Sequence, residues 1–149
     1  MTSLLTIQTV TYSEARSDIQ TVRCTVFQRE QRVDPALEFD GEDDASTHLV
    51  AYLDGHPIGT TRIRYLSDRL AKIERVAVLS NYRGQGIGRQ MMDHAFDHLR
   101  ARGIPEVKIN AQAHAKEFYS KLGFSQRGDE FDEAGIAHVE MRLVLDSVG

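Results

Sequence analysis

The chain opens with a weakly alternating run, Leu4 to Tyr12, which predicts a strand. Apolar positions then recur at helical spacing. Ala15, Ile19, Val22 and Val26 fall on one face, so a helix is expected to about Arg32, with Ser13 as its N-cap. Arg23 and Phe27, four apart, share an adjacent face of that helix. An irregular segment, "DPALEFDGEDDAS", follows. Next comes "THLVAYL-DG-HPIGTTRIRYL", two β-rich runs around Asp54-Gly55, the usual signature of a two-residue hairpin turn. "KIERVAVL" reads as a further strand. From Arg89 to Arg102 the pattern is helical, with Met91, Met92, Ala95, Phe96 and Leu99 inward and Gly103 and Pro105 as stops. "EVKINAQ" is a strand, Lys116 to Leu122 a short helix ended by Gly123, and Phe124 to Leu145 two antiparallel strands joined through "DEAGIAH".

The predicted order is therefore β-α-β-β-β-α-β-α-β-β. The hairpins require antiparallel pairing, and the strand-helix-strand unit from Ile73 to Gln112 requires one parallel crossover. The expected fold class is α/β in the broad sense: a central mixed, mostly antiparallel sheet with helices on both faces. Neither a repeat nor a linker interrupts it, and 149 residues suit one domain, residues 1–149.

Composition narrows the class of function. The net charge of −4 and the lack of a dense Lys/Arg patch argue against nucleic-acid binding. The N-terminus "MTSLLTIQTV" has no basic region and no long apolar run, whereas a membrane span needs about 20 apolar residues. A soluble, cytoplasmic protein is expected. Cys24 is the single cysteine, which excludes an internal disulfide, and its helical setting suggests a small packed hydrophobe.

Candidate chemistry begins at "VAVLSNYRGQGIGR". A strand, a loop with Gly84, Gly86 and Gly88, and a helix start form the common backbone cradle for phosphate. Residues without Cβ let amide groups turn toward one point, and the helix adds its positive dipole end. A P-loop would need Gly-Lys-Ser/Thr, and a dinucleotide fingerprint G-x-G-x-x-G; neither spacing is present. The spacing Arg83-x-x-Gly86-x-Gly88 instead resembles the acetyl-CoA signature of the GNAT superfamily of N-acetyltransferases. "FYSKLGF" resembles the second hallmark of that family, a Tyr on the helix after the next strand, and the element order matches its fold. Small bacterial members with "VFxxEQ" on the first helix and "GIxH" near the end are the most similar. Here these are Val26-Phe27-Gln28-Arg29-Glu30-Gln31 and Gly135-Ile136-Ala137-His138.

The resemblance implies acetyl-CoA as cosubstrate, without a metal. The diphosphate would lie against Arg83, Gly84, Gln85, Gly86, Ile87, Gly88 and Arg89. The pantetheine arm would pair with the backbone of Val76, Ala77 and Val78, in a split between that strand and the one carrying Asn110. An amide near Val76 would polarise the thioester carbonyl. Asn110 and Lys116 are further cofactor contacts. Tyr119 is the expected donor to the departing sulfur. With a pKa of about 10 against about 8.5 for a thiol, full proton transfer is uphill by about 2 kcal/mol, so hydrogen bonding to developing charge is its natural role.

The acceptor amine must lose a proton, because at a pKa of about 10.4 roughly one in two thousand is neutral at pH 7. Two residues compete as base. Glu74 stands two before Val76 and so shares its face of a regular strand. His138 matches the GIxH position, and an imidazole suits neutral pH. Arg23, Phe27, Arg75, Gln112 and His138 are the implied acceptor ring. The arginines favour an acid-bearing acceptor. The acids Glu38, Asp40, Glu42, Asp43 and Asp44 would favour a cationic one, unless they form a solvated loop. His94 and His98 are four apart on one helix, but Ala95 stands where HExxH needs Glu, and the pair reads as part of a solvated stripe. The expected activity is N-acetylation of a small-molecule primary amine by direct attack. The alternatives are a non-catalytic acyl-CoA sensor domain or acetylation of a protein amine. Exposed strand edges would suit a homodimer.

Overall fold

The structure is a computed structural model that describes residues 4–35 and 40–145. Seven strands form one sheet: β1 (Leu5–Thr11), β2 (Thr47–Leu53), β3 (His56–Tyr65), β4 (Leu70–Val78), β5 (Glu106–Gln112), β6 (Ser125–Glu133) and β7 (Ile136–Val144). Their spatial order is β1-β2-β3-β4-β5-β7-β6. All neighbours are antiparallel except β4 and β5, the expected parallel crossover. Helices α1 (Tyr12–Arg23), α2 (Ile87–Ala101) and α3 (Lys116–Lys121) complete the fold. Among the described residues no helix is long and apolar enough to cross a membrane.

Side chains alternate across the sheet, so the two faces bury different residues. Leu49, Ile63, Ile73, Val107 and Ile109 pack with Met92, Ala95, Phe96 and Leu99 of α2. Val50, on the opposite face, packs with Tyr12, Ala15 and Ile19 of α1. Helices therefore cover both faces.

Three local features differ from the sequence pattern. First, the N-cap of α1 is Thr11, two residues before Ser13. The Thr11 side chain accepts from the Glu14 amide while the Glu14 carboxylate accepts from the Thr11 amide at 2.8 Å, a reciprocal capping box. Second, the α-helix ends at Arg23 and continues as a π-helix over Cys24–Glu30, closed by Gln31 N–H to Val26 O at 3.0 Å. Wider winding of this kind gathers at functional sites. Third, α2 starts at Ile87, not Arg89, because Gly86 adopts φ +79° and caps the helix itself.

A bulge in β4 matters most. Thr60 pairs with Ala77 and Arg62 with Glu74, so one residue of β3 faces two of β4. Arg75 takes φ +54° there. The face therefore switches: Ile73 enters the α2 core, whereas Ala77 packs with Val22, Val26 and Phe27. Without the bulge, residues four apart would share a face. β4 also parts from β5 at this point, since their pairing runs only from Leu70↔Glu106 to Ile73↔Ile109.

The β6–β7 hairpin turns at Ala134 and Gly135, with φ of +55° and +77°. Ala is a poor residue there, since the left-handed region costs an L-residue about 1–2 kcal/mol. Ala134→Asn is expected to raise the melting temperature by about 2 °C, checked by thermal denaturation; an unchanged or lower midpoint would show that the turn carries no strain.

Candidate active site

Beyond Ile73 and Ile109 the diverging strands open a cleft of about 550 Å³. Val76, Ala77 and Val78 line one side; Ile109, Asn110, Ala111 and Gln112 line the other. The β4 edge facing the cleft has no strand partner in this stretch, so its backbone groups can pair with an extended ligand. The Asn110 Oδ1 is buried without a partner on the cleft wall. Tyr119, only 6% exposed, reaches the cleft from α3. Its ring packs edge-on against Phe118 and Phe124, and burial alone pushes its phenol well above the ordinary range. The hydroxyl is thus kept protonated and can only donate to an anionic neighbour.

The glycine loop lies beyond Val78. Gly84 and Gly86 take φ of +76° and +79°, which β-carbon-bearing residues avoid. Gly88 is different: its backbone is ordinary, and an added Cβ would only touch Phe118 at 3.5 Å. No side chain caps α2, so its first amides and dipole end are open to an anion. Ile87 anchors the helix start in a pocket with Ala51, Ile58 and Met91, while Arg89 is exposed in the first turn. The Gln85 side chain bonds back to Asn81 O at 3.4 Å. Arg83 is not a free cation here. Its Nε donates to Val78 O at 2.8 Å and its guanidinium pairs with Glu30 of the π-helix. Lys116 is exposed and stands outside the cleft wall.

The two candidate bases are treated very differently. His138 sits on β7 opposite Gln112 and lines the cleft. Its Nδ1 lies 2.7 Å from Ile136 O, and a carbonyl only accepts, so Nδ1 carries a proton and, in the neutral form of the ring, the lone pair is at Nε2. Phe131 stacks on the ring and Glu133 Oε2 stands 3.5 Å from Nε2. Glu133 is thus placed to pair with an imidazolium. Glu74, by contrast, is bound by Arg62 at 2.7 Å, Arg64 at 3.3 Å and Arg75 at 3.4 Å. The β4 bulge also puts Glu74 on the opposite face from Val76, which corrects the expectation of a shared face.

The implied acceptor ring is met in part. Phe27, Arg75, Gln112 and His138 line the cleft, and Gln112 donates to Gln31 Oε1 at 2.8 Å. Arg23 does not line it. It is 2% exposed and pairs with Asp43 at 2.7 Å beneath α1.

The acidic run is solvated only in part, with Asp44 exposed. Glu38 lies outside the described residues, but Asp40 and Asp43 turn inward onto Arg62, which is wholly buried on β3. Asp40 takes both guanidinium nitrogens, at 2.9 and 2.7 Å, and Asp43 a third contact at 3.0 Å. Their arginine bonds outweigh desolvation and hold both carboxyls below the usual range. For Asp43 the largest single effect is burial, which opposes the shift. His48, also fully buried, bonds Asp43 O at 2.9 Å and is kept neutral chiefly by burial. The paired histidines on α2 are docked rather than solvated: His94 bonds Thr9 at 3.1 Å and His98 bonds Tyr65 at 2.7 Å. Asp43, Arg62, Gln31 and Glu133 could not be placed from sequence, because each acts through a residue distant along the chain. Glu30 and Gln31 had one signal, the "EQ" of the first-helix motif.

A free β4 edge, a glycine loop at an uncapped helix start and a buried Tyr at the fork together define a nucleotide-thioester acyltransferase fold. The family model for the acetyltransferase (GNAT) domain matches residues 12–145, and the chain belongs to that family of acetyltransferases. The uncharacterized N-acetyltransferase YjcF of Bacillus subtilis is 35% identical over 129 residues, 86% of this chain and 91% of the relative. An acyl-CoA N-acyltransferase from Pseudomonas aeruginosa has 31% identity and a TM-score of 0.79, over 95% of this chain and 99% of that one. A GNAT family acetyltransferase from Elizabethkingia anophelis, solved with acetyl-CoA bound, shares the fold at 16% identity, with a TM-score of 0.71 over 95% of this chain and 98% of that one.

Removing Asp43 leaves two buried guanidiniums short of a counter-ion. Asp43→Ala is expected to cost about 3–5 kcal/mol by urea unfolding at pH 7. A depressed carboxylate stabilises above its unfolded pKa of about 3.9 and stops doing so as pH falls through its folded value. The difference between wild type and variant should therefore shrink below about pH 4; a difference that stays constant to pH 2 would contradict the assignment.

Proposed function

We propose that this protein is an acetyl-CoA-dependent N-acetyltransferase that acetylates a small-molecule primary amine by direct attack. It would work as a single cytoplasmic domain. The observation that carries the reading is the forked cleft. Its unpaired β4 edge, Tyr119 and His138 all line it.

Acetyl-CoA supplies an activated acyl group, and the residues present fit it. The open amides of Ile87 and Gly88, with Gly84 and Gly86 shaping the loop, suit a diphosphate. The β4 edge at Val76 to Val78 suits the amide-bearing pantetheine arm, and the orphaned Asn110 Oδ1 has an acceptor to offer. Arg83 would hold the loop to β4 through Val78 O more than it would contact phosphate.

Each proton then has a place to go. His138 Nε2 takes a proton from the ammonium of the acceptor, and Glu133 stabilises the resulting imidazolium. The amine lone pair forms the new C–N bond. A backbone amide at the bulge beside Arg75 donates to the carbonyl oxygen as charge develops there. Tyr119 donates a hydrogen bond to the sulfur as the C–S bond breaks, and the proton that the newly bonded nitrogen must lose passes to the departing thiolate, so that CoA leaves as its thiol. Glu74, engaged by three arginines, serves as a fixed part of the wall and not as the base.

Three variants test the assignment in separate steps. Gly86→Val strains the left-handed cap and should weaken acetyl-CoA binding at least tenfold in calorimetry; undiminished affinity would remove the loop from the site. Tyr119→Phe should lower kcat about 10- to 10⁴-fold with cofactor affinity little changed. An unaltered kcat would reduce Tyr119 to packing. His138→Ala should abolish the acidic limb of the kcat/KM–pH profile, since a base must be neutral to act and the rate falls as it gains its proton. A persisting limb would return the role to Glu74.

A further inference from the structure

The face of the sheet opposite α2 carries a row of four cations in register across four neighbouring strands. Arg64 on β3 pairs with Lys72 on β4, Lys72 with Lys108 on β5, and Lys108 with Arg142 on β7. Their neighbours Ile73, Val107 and Met141 point the other way, into the core. Like charges side by side across strands repel. Most of the row is compensated. Arg64 meets Glu74 at 3.3 Å and Glu42 at 3.6 Å, Lys108 meets Glu140 at 3.4 Å, and Arg142 meets Glu106 and Glu140 at 3.0 Å. Lys72 has no ion-pair partner among the described residues.

Lys72 and Arg64 both line the cleft that holds His138. The carboxylates on the same wall are already engaged. Glu30 pairs with Arg83, Asp40 with Arg62 and Arg75, Glu74 with Arg62, Arg64 and Arg75, and Glu133 with His138. Asp40 and Asp43 of the acidic run thus neutralise buried arginine, while Lys72 on the cleft wall has no carboxylate paired with it among the described residues.

We infer that Lys72, flanked by Arg64, is a subsite for an anionic group, carboxylate or phosphate, carried by the acceptor amine. This deepens the N-acetyltransferase reading and rests on it. The register also sets the length of the acceptor. His138 stands opposite Gln112 and Lys72 opposite Lys108, four residues apart on β5. That is about 13 Å along the strand and about 10 Å across two strand spacings, or about 16 Å between the two Cα atoms. The amine and the anion therefore sit several bonds apart, as in an ω-amino acid or an amino-sugar phosphate, and not on one carbon as in an α-amino acid.

The experiment pairs each anionic amine with an uncharged counterpart: 6-aminohexanoate with its carboxamide, and glucosamine 6-phosphate with glucosamine. Binding to the CoA-loaded protein is measured by calorimetry, and thiol release with acetyl-CoA in parallel. At least one anionic member should bind tenfold or more tightly than its counterpart. Lys72→Met should erase that preference while acetyl-CoA affinity is kept, which shows that the variant is folded. Equal binding within both pairs, no binding by either anion, or a preference that survives in Lys72→Met overturns the subsite. Thiol release without the preference overturns the subsite and leaves the transferase standing. A preference without thiol release from any amine supports the subsite and counts against the transferase.

Discussion

The constraint on which the site depends is the bulge at Arg75. A regular β4 would pair along its whole length with β5 and close the sheet. One extra residue, held at positive φ, turns the strand, swaps its faces and lets it part from β5 after Ile73. The same residue thus opens the cleft, exposes a backbone edge within it and places an amide beside the fork. A non-glycine residue at φ +54° is strained, and strain persists only where surroundings over-determine it.

Those surroundings are the buried charges next to the bulge. Arg62, facing Glu74 across the β3–β4 pair, is fully buried and gathers Asp40, Asp43 and Glu74. Asp43 in turn holds Arg23 at the end of α1. Buried ion pairs are weak evidence for net stability, because desolvation offsets their attraction, but breaking one leaves an uncompensated charge. The network therefore acts as a geometric lock. It ties the connection after the π-helix, the end of α1 and the strand before the bulge to one guanidinium. Glu74 is thereby fixed in the wall, which is why the base we propose is His138, across the fork.

Much of this was legible in the sequence. Asp54-Gly55 marked the first hairpin because a two-residue turn with positive φ leaves few alternatives, and the mixed sheet with its one parallel crossover followed from the element order along the chain. The left-handed turns at Gly84 and Gly86 were legible in "YRGQGIG" because few other residues adopt them, and the cofactor role of that loop and of Tyr119 belongs to the proposed function. The bulge was hidden because Ile73-Glu74-Arg75-Val76-Ala77-Val78 still reads as a β-rich run, so nothing local announced that Glu74 and Val76 would part faces. The π-helix was hidden because Cys24–Glu30 continues an acceptable helical pattern. Nothing in "TTRIRYL" announces that Arg62 is buried, and Asp40 and Asp43 are compatible with a solvated loop; only long-range contact makes them partners. Lys72 was silent for the same reason, since its lack of a paired carboxylate among the described residues appears only when the partners of the surrounding acids are assigned.

The central claim is that acetyl-CoA occupies the fork between β4 and β5 with its diphosphate on the glycine loop. Titration of ¹⁵N-labelled protein with acetyl-CoA tests it most directly. The account predicts that the amide resonances of Val76, Val78, Gly86 and Gly88 shift together along one saturable curve. Saturable binding that leaves the amides of Val76 and Val78 unmoved would contradict it.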